Sequence, residues 1–148
     1  MIYLSADHGG YKLKEYLKKE LKALKYNVTD LGPKKFVADD DYPDYTKLVA
    51  EKVSKNPNVD LGILVCRSGQ GVNIMANKYK GVRSVLVWNI VEAMNSRSDN
   101  LANILSLPAD FLSPQQALLI TEKWLETPWG TEARHVRRVN KISKLEKK

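Results

Sequence analysis

The one cysteine of this 148-residue chain, Cys66, closes the apolar run Leu61-Gly62-Ile63-Leu64-Val65 and is followed at once by Arg67-Ser68-Gly69-Gln70-Gly71. A near-continuous apolar run reads as a strand buried on both faces, and open α/β sheets hold their ligands at the carboxyl ends of such strands. Gly69 and Gly71 let the backbone approach an anion, and the helix expected from about Gly71 turns unpaired N–H groups toward the same spot. A thiol there is suited to accept a proton near neutral pH. The residues also fit a small buried hydrophobe in front of a turn. Ile74 occupies the place of the third glycine of a dinucleotide fingerprint, and no Gly-Lys-Ser/Thr follows as in a Walker loop. What remains is a cradle for a small anion or oxyanion with a base beside it.

Two further groups carry chemistry. Asp7-His8-Gly9-Gly10 follows the short apolar segment Ile2-Tyr3-Leu4-Ser5, again at a predicted strand end. Near the carboxyl terminus Arg134 and Arg138 are four residues apart on a predicted helix, which aims two guanidinium forks the same way and suits phosphate oxygens. The competing reading of that helix is a solvated or subunit-contact face.

The elements that must position these residues follow from periodicity. Strands are predicted at Ile2–Ser5, Tyr26–Asp30, Leu61–Cys66, Val82–Trp88 and Asn103–Leu107. Between them, helical spacing recurs at Leu13, Leu17, Leu21 and Leu24, at Leu48, Val49 and Val53, from about Gly71 over Ile74 and Met75, and from Ile90 to Asn100. Ser113-Pro114 opens a helix through Leu118, Leu119 and Trp124, and a last amphipathic helix presents Val136, Val139, Ile142 and Leu145 on one side. This alternation predicts one α/β domain spanning residues 1–148, a three-layer α/β/α sandwich, Rossmann-like, with about five parallel strands. In doubly wound sheets the first and third strands flank the point where strand order reverses, so the Asp7 and Cys66 loops are expected to face one crevice.

The formal charge is +7, and residues 134–148 hold seven Lys or Arg against Glu146 alone. No zinc-ligand spacing, helix-turn-helix or RNA-binding aromatic motif accompanies that charge, so no nucleic-acid partner is expected. A single cysteine excludes an internal disulfide. No apolar segment approaches a membrane span or a cleavable signal, so a soluble cytoplasmic protein is expected.

With these residues in view, the chain resembles type B ribose-5-phosphate isomerases and the related galactose-6-phosphate isomerase subunits. The resemblance is carried by Ala6-Asp7-His8-Gly9-Gly10, Asp41-Tyr42-Pro43-Asp44-Tyr45, the loop 66–71, Ala76-Asn77-Lys78, Gly81-Val82-Arg83, Asn100 with Asn103, and Arg134-His135-Val136-Arg137-Arg138-Val139. It implies aldose–ketose isomerisation of a phosphorylated sugar through a 1,2-enediolate, without metal or cofactor, in a site shared between two subunits. By the same resemblance Cys66 is the base, and backbone N–H groups of Arg67 to Gly71, Gly69 included, stabilise the enediolate oxygen. Ser68 stands where the family often has threonine. Asp7, Tyr42 and Asn100 hold sugar hydroxyls, Asp41 assists proton movement, and His8, Arg134 and Arg138 hold the phosphate. The arginines would reach in from a partner, which makes a homodimer or dimer of dimers, or pairing with a paralogous subunit, the expected assembly, with the helix of residues 131–148 packed on the partner.

Three departures from the family pattern stand out. Asp99 occupies the place of a histidine credited with opening the sugar ring, and an ordinary aspartate, with a pKa of roughly 3.9, is a poor acid at neutral pH. Asp110 stands in place of a phosphate-binding arginine, and Arg67 in place of a glycine. Three readings follow: an active sugar-phosphate isomerase, most simply of ribose 5-phosphate; an isomerase for another sugar phosphate or one subunit of a hetero-oligomer; and a sugar-phosphate binding protein without turnover. The retained Cys66 favours the first.

Overall fold

A computed structural model describes residues 1–146. Five strands, β1 (Ile2–Ala6), β2 (Val28–Asp30), β3 (Leu61–Cys66), β4 (Ser84–Leu86) and β5 (Ile104–Pro108), alternate with α1 (Tyr11–Ala23), α2 (Tyr42–Lys55), α3 (Gln70–Ala76), α4 (Ile90–Asn100) and α5 (Pro114–Glu126), and α6 (Ala133–Leu145) follows. All strand pairs are parallel, in the order β2-β1-β3-β5-β4. The α/β sandwich expected from the alternation is therefore present, and β1 and β3 are neighbours where the order reverses. Of the predicted helix of residues 131–148, Ala133–Leu145 forms α6, Thr131 and Glu132 lie before it, and residues 147–148 lie outside the described part.

The central strands are apolar on both faces because both are covered. Ile63 and Val65 of β3, with Leu4, Leu105 and Leu107, pack under Leu13, Leu17 and Leu21 of α1 and Ala117, Ile120 and Trp124 of α5. Leu64, Cys66 and Ile104 face the opposite way, against Val49, Ala50 and Val53 of α2 and Val72 and Ala76 of α3. The period-two alternation of a strand thus sends the Cys66 side chain to the α2/α3 face.

Several local expectations shift for physical reasons. The second and fourth strands are only three residues long. Each lies at a sheet edge with one neighbour, and Trp88, predicted to end the fourth strand, is 55% exposed. Helix α3 has only seven residues and buries Val72 and Ala76, four apart, so Ile74 points to solvent. Leu24, Leu48 and Leu119 are likewise exposed beside buried helical neighbours. Among the described residues of α6 only His135 and Val139 are buried, on the side toward α4; Val136, Ile142 and Leu145 of the predicted stripe remain exposed.

Polar landmarks of the sequence turn out to hold the scaffold. Asn77 caps the turn into β4, donating to the Ser84 carbonyl at 2.9 Å and accepting the Ser84 N–H at 2.9 Å. Asn103, fully buried, donates to the carbonyls of Pro57 and Gly81 and accepts the Arg83 N–H, tying three connections together at the amino-terminal edge of the sheet.

Candidate active site

Cys66 ends β3 with its side chain all but buried, and its Sγ accepts the Gly69 N–H at 3.1 Å. The chain can turn that tightly because Gly69 adopts φ +71°, a left-handed conformation costly for other residues. Leu86 and the backbone between Leu107 and Pro108 also crowd its Cα, leaving no room for a side chain. Ser68 is half-buried at the rim of the loop. Gly71 leaves space for the ring of Tyr42, whose Cζ would stand 2.7 Å from a methyl group there. Tyr42, the first residue of α2, is thereby laid against the Cys66 loop, and Asp41 before it is exposed at the N-cap.

The β1–α1 loop meets this one from the side. Asp7 is buried and accepts the Gly10 N–H through Oδ1 at 3.0 Å. Burial raises its pKa, although the Gly10 N–H and the charge of His8 pull it back. Asp40, one residue before Asp41, accepts both the His8 backbone N–H at 2.9 Å and its Nδ1 at 2.7 Å through a single oxygen. That hydrogen bond raises the His8 pKa. Sequence reasoning missed Asp40; the run Asp39-Asp40-Asp41 was visible, but nothing in its spacing marks which member turns inward. Asp7, His8 and Asp40 are the one group of potential metal-binding side chains that converge among the described residues. Asp7 Oδ1, Asp40 Oδ1 and His8 Nδ1 are engaged in the hydrogen bonds just given, while Asp40 Oδ2 is buried with no partner among the described residues.

Two of the three departures meet here. Arg67 Nε donates to Asp110 Oδ2 at 2.9 Å, and the Asp110 N–H bonds to the Arg67 carbonyl, also at 2.9 Å. The arginine side chain lies over Gly9, where a Cβ would overlap its Cγ. Asp110 thus faces a cation supplied by the neighbouring loop, and Cys66, Ser68, Gly69, Gly71, Arg67, Asp7, His8 and Tyr42 gather at the carboxyl edge of β1 and β3.

The remaining predicted residues are elsewhere. Helix α4 returns from the carboxyl edge of β4 toward the start of β5, so Asp99 and Asn100 lie at the amino-terminal edge of the sheet. Five-residue β5 separates the two edges by about 13 Å. Asp99 Oδ1 lies 3.5 Å from His135 Nδ1 and accepts the Ser98 hydroxyl at 2.7 Å. Arg134 and Arg138 are exposed on the same end of α6, Arg134 paired with Glu132 at 2.8 Å. This corner is fixed by Arg97, whose guanidinium lies between the rings of Trp124 and Trp129 (5.0 and 5.3 Å to the centroids) and donates to the Ala102 carbonyl. Burial brings the Arg97 pKa down to about 10, still charged at neutral pH.

A family model described as "Ribose/Galactose Isomerase" matches residues 2–142. The chain belongs to the ribose/galactose isomerase family. Among curated members of that family, ribose-5-phosphate isomerase B of Mycobacterium tuberculosis is 34% identical over 146 residues, covering 99% of this chain and 90% of that one. The crystal structure of ribose-5-phosphate isomerase B from Mycoplasma genitalium, with bound ribulose-5-phosphate, superposes with a TM-score of 0.96 at 42% identity, covering 99% of this chain and 96% of the other. Ribose-5-phosphate isomerase B of Clostridium thermocellum gives a TM-score of 0.92 at 38% identity, over 99% and 97% of the two chains. With family membership, the chain is an aldose–ketose isomerase of sugar phosphates.

Proposed function

We propose that the protein interconverts ribose 5-phosphate and ribulose 5-phosphate through a 1,2-enediolate, with Cys66 as the base, in a site shared by two copies of the chain. The observation that carries the reading is the position of Cys66: its sulfur lies at the carboxyl end of a central strand, inside a glycine-turned loop, beside Asp7, His8 and Tyr42. In the open-chain aldose the Cys66 thiolate takes the C2 proton, and the C–H electron pair forms the C1–C2 double bond as the C1 carbonyl becomes O1-centred enediolate. A proton passes from O2 to O1, a transfer we assign to the Ser68 hydroxyl with the assistance of the Asp41 carboxylate. Cys66 returns its proton to C1, and the carbonyl is left at C2. No atom is gained or lost. Backbone N–H groups around the loop stabilise the enediolate oxygen, a preorganised arrangement of the kind that supplies a large share of catalysis in such sites.

The sugar hydroxyls fall to Asp7, Tyr42 and Asn100, and the phosphate to His8, Arg67, Arg134 and Arg138. Asn100 and the two C-terminal arginines lie across the sheet from Cys66 in their own chain, so a second copy must supply them. A homodimer also covers the apolar side of α6 left open by Val136, Ile142 and Leu145. At that end the Asp99 carboxylate with the His135 imidazole offers the acid–base pair for ring opening that a histidine at 99 would otherwise supply. No helix is long and apolar enough to cross a membrane among the described residues, and a functional free thiol fits a reducing cytoplasm.

Purified protein should interconvert the two pentose phosphates without added metal. Cys66→Ala should lower kcat by roughly 10²–10⁴-fold, the usual contribution of a general base, with an unchanged circular dichroism spectrum. Full activity of that variant would remove Cys66 as the base.

A further inference from the structure

We propose that Asp40 is the positioning residue of His8, holding the ring so that Nε2 faces the phosphate of the substrate. This rests on the reading of His8 as a phosphate ligand. A single carboxylate oxygen of Asp40 accepts from the backbone N–H and from Nδ1 of the same residue, at 2.9 and 2.7 Å, which fixes both the main chain and the ring. The Asp40 side chain is nearly buried while that of His8 is about one-third exposed, so the carboxylate backs the ring and leaves its other edge open.

The tautomer follows from this geometry. Nδ1 must carry its hydrogen to donate to Asp40, so a neutral His8 presents a bare Nε2 lone pair, which repels an anion. Only the imidazolium donates at both nitrogens. Phosphate binding at His8 therefore requires the charged ring, and the Asp40 carboxylate, through its hydrogen bond, is the main influence favouring that form. The adjacent Asp7 adds to it. Tyr45 lies beside Asp40, and Arg67 passes over Gly9. In the shared site Arg134 and Arg138 of the second copy also face the phosphate, and their charge works against protonation of His8, which makes Asp40 the more necessary. Asp40 itself is delivered by the segment 31–41, which is fastened to α1 where Lys14 donates to the Pro33 carbonyl and Tyr11 to that of Lys34.

The test is an imidazole titration by NMR with inorganic phosphate as the probe. The chain has only two histidines, so a His135→Gln variant assigns the signals. In Asp40→Asn the His8 titration should move to lower pH, and phosphate affinity above pH 7 should fall about tenfold, the effect of losing one charge-assisted hydrogen bond. The KM for ribose 5-phosphate should rise by a similar factor, most at the alkaline end, with kcat changed less than about twofold. Asp40→Glu should keep the His8 titration high while weakening phosphate binding, because the charge remains and the geometry does not; it also serves if the asparagine variant fails to fold. A His8 titration that is unmoved in Asp40→Asn, or a fall in kcat at constant KM, would overturn the proposal. If wild-type protein binds phosphate at His8 but turns over no sugar phosphate, the functional reading fails while the titration still decides the role of Asp40.

Discussion

Arg67 and Asp110 show how a substitution that looks adverse in the sequence is answered by one elsewhere. A carboxylate beside an anion-binding loop is repulsive to a phosphorylated substrate, yet Asp110 lies 2.9 Å from a guanidinium on the adjacent loop. Both side chains are exposed, so the pair adds little to folding and its consequence is electrostatic. Arg67 bonds to Asp110 through Nε, the edge nearest its own chain, and a guanidinium has four more N–H donors. Arg67→Met should therefore raise KM for the sugar phosphate about threefold to tenfold, and Asp110→Asn should lower it by removing a negative charge nearby. Opposite signs from the two members of one ion pair, both shrinking as salt is raised, would be read in initial-rate kinetics over a range of ionic strength. Equal losses from both would mark the pair as structural. At this scale the sequence displayed the ingredients, Cys66, the glycines, Asp7 and His8, because they adjoin predicted strand ends. The partnership of residues 67 and 110, and the choice of Asp40 from three consecutive aspartates, depend on contacts 43 and 32 positions apart, for which no local periodicity exists.

Among the elements, the helices and central strands were legible because apolar spacing reports burial directly. Edge position was less so: the apolar stretch around β4 continues past the point where the strand loses its one neighbour. The amphipathic stripe of α6 marked an apolar face without saying whether the covering surface belongs to the same chain. A polar contact fixes α1 against β2. Lys14, fully buried, donates to Asp30 at 2.7 Å and to Glu15 at 2.6 Å, while Lys18 reaches the same two carboxylates. Burial alone would raise the Asp30 pKa; the hydrogen bonds from Lys14 and Lys18 outweigh it and hold the carboxyl below its ordinary value. The ion pair therefore stabilises the fold above the unfolded-state pKa of an aspartate and ceases to do so as pH falls through the lower folded-state value. Asp30→Asn leaves a buried ammonium with only part of its compensation and should cost roughly 3 kcal/mol at neutral pH. Urea unfolding across pH should show the gap between wild type and variant closing in acid. A gap independent of pH would assign the effect to packing.

For the whole molecule, the decisive fact is that the Cys66 loop and the Asn100, Arg134 and Arg138 cluster occupy opposite edges of one sheet. A rigid parallel sheet cannot bring its two edges together, so under the proposed function the two groups can act on one substrate only if they come from different copies. The two-fold dimer we propose would do this, each copy offering its amino-edge cluster to the carboxyl edge of the other. Complementation tests the arrangement. Cys66→Ala chains retain the arginine cluster, and chains carrying Arg134→Ala with Arg138→Ala retain the base, so each homodimer should be nearly inactive. After the two are mixed, unfolded and refolded together, half of the dimers should be mixed. Each mixed dimer has one site with every residue intact and one with neither part, so recovery should approach about a quarter of wild-type activity. If each site were built within one chain, every site in the mixture would still lack one component, and the mixture would stay as inactive as its parents.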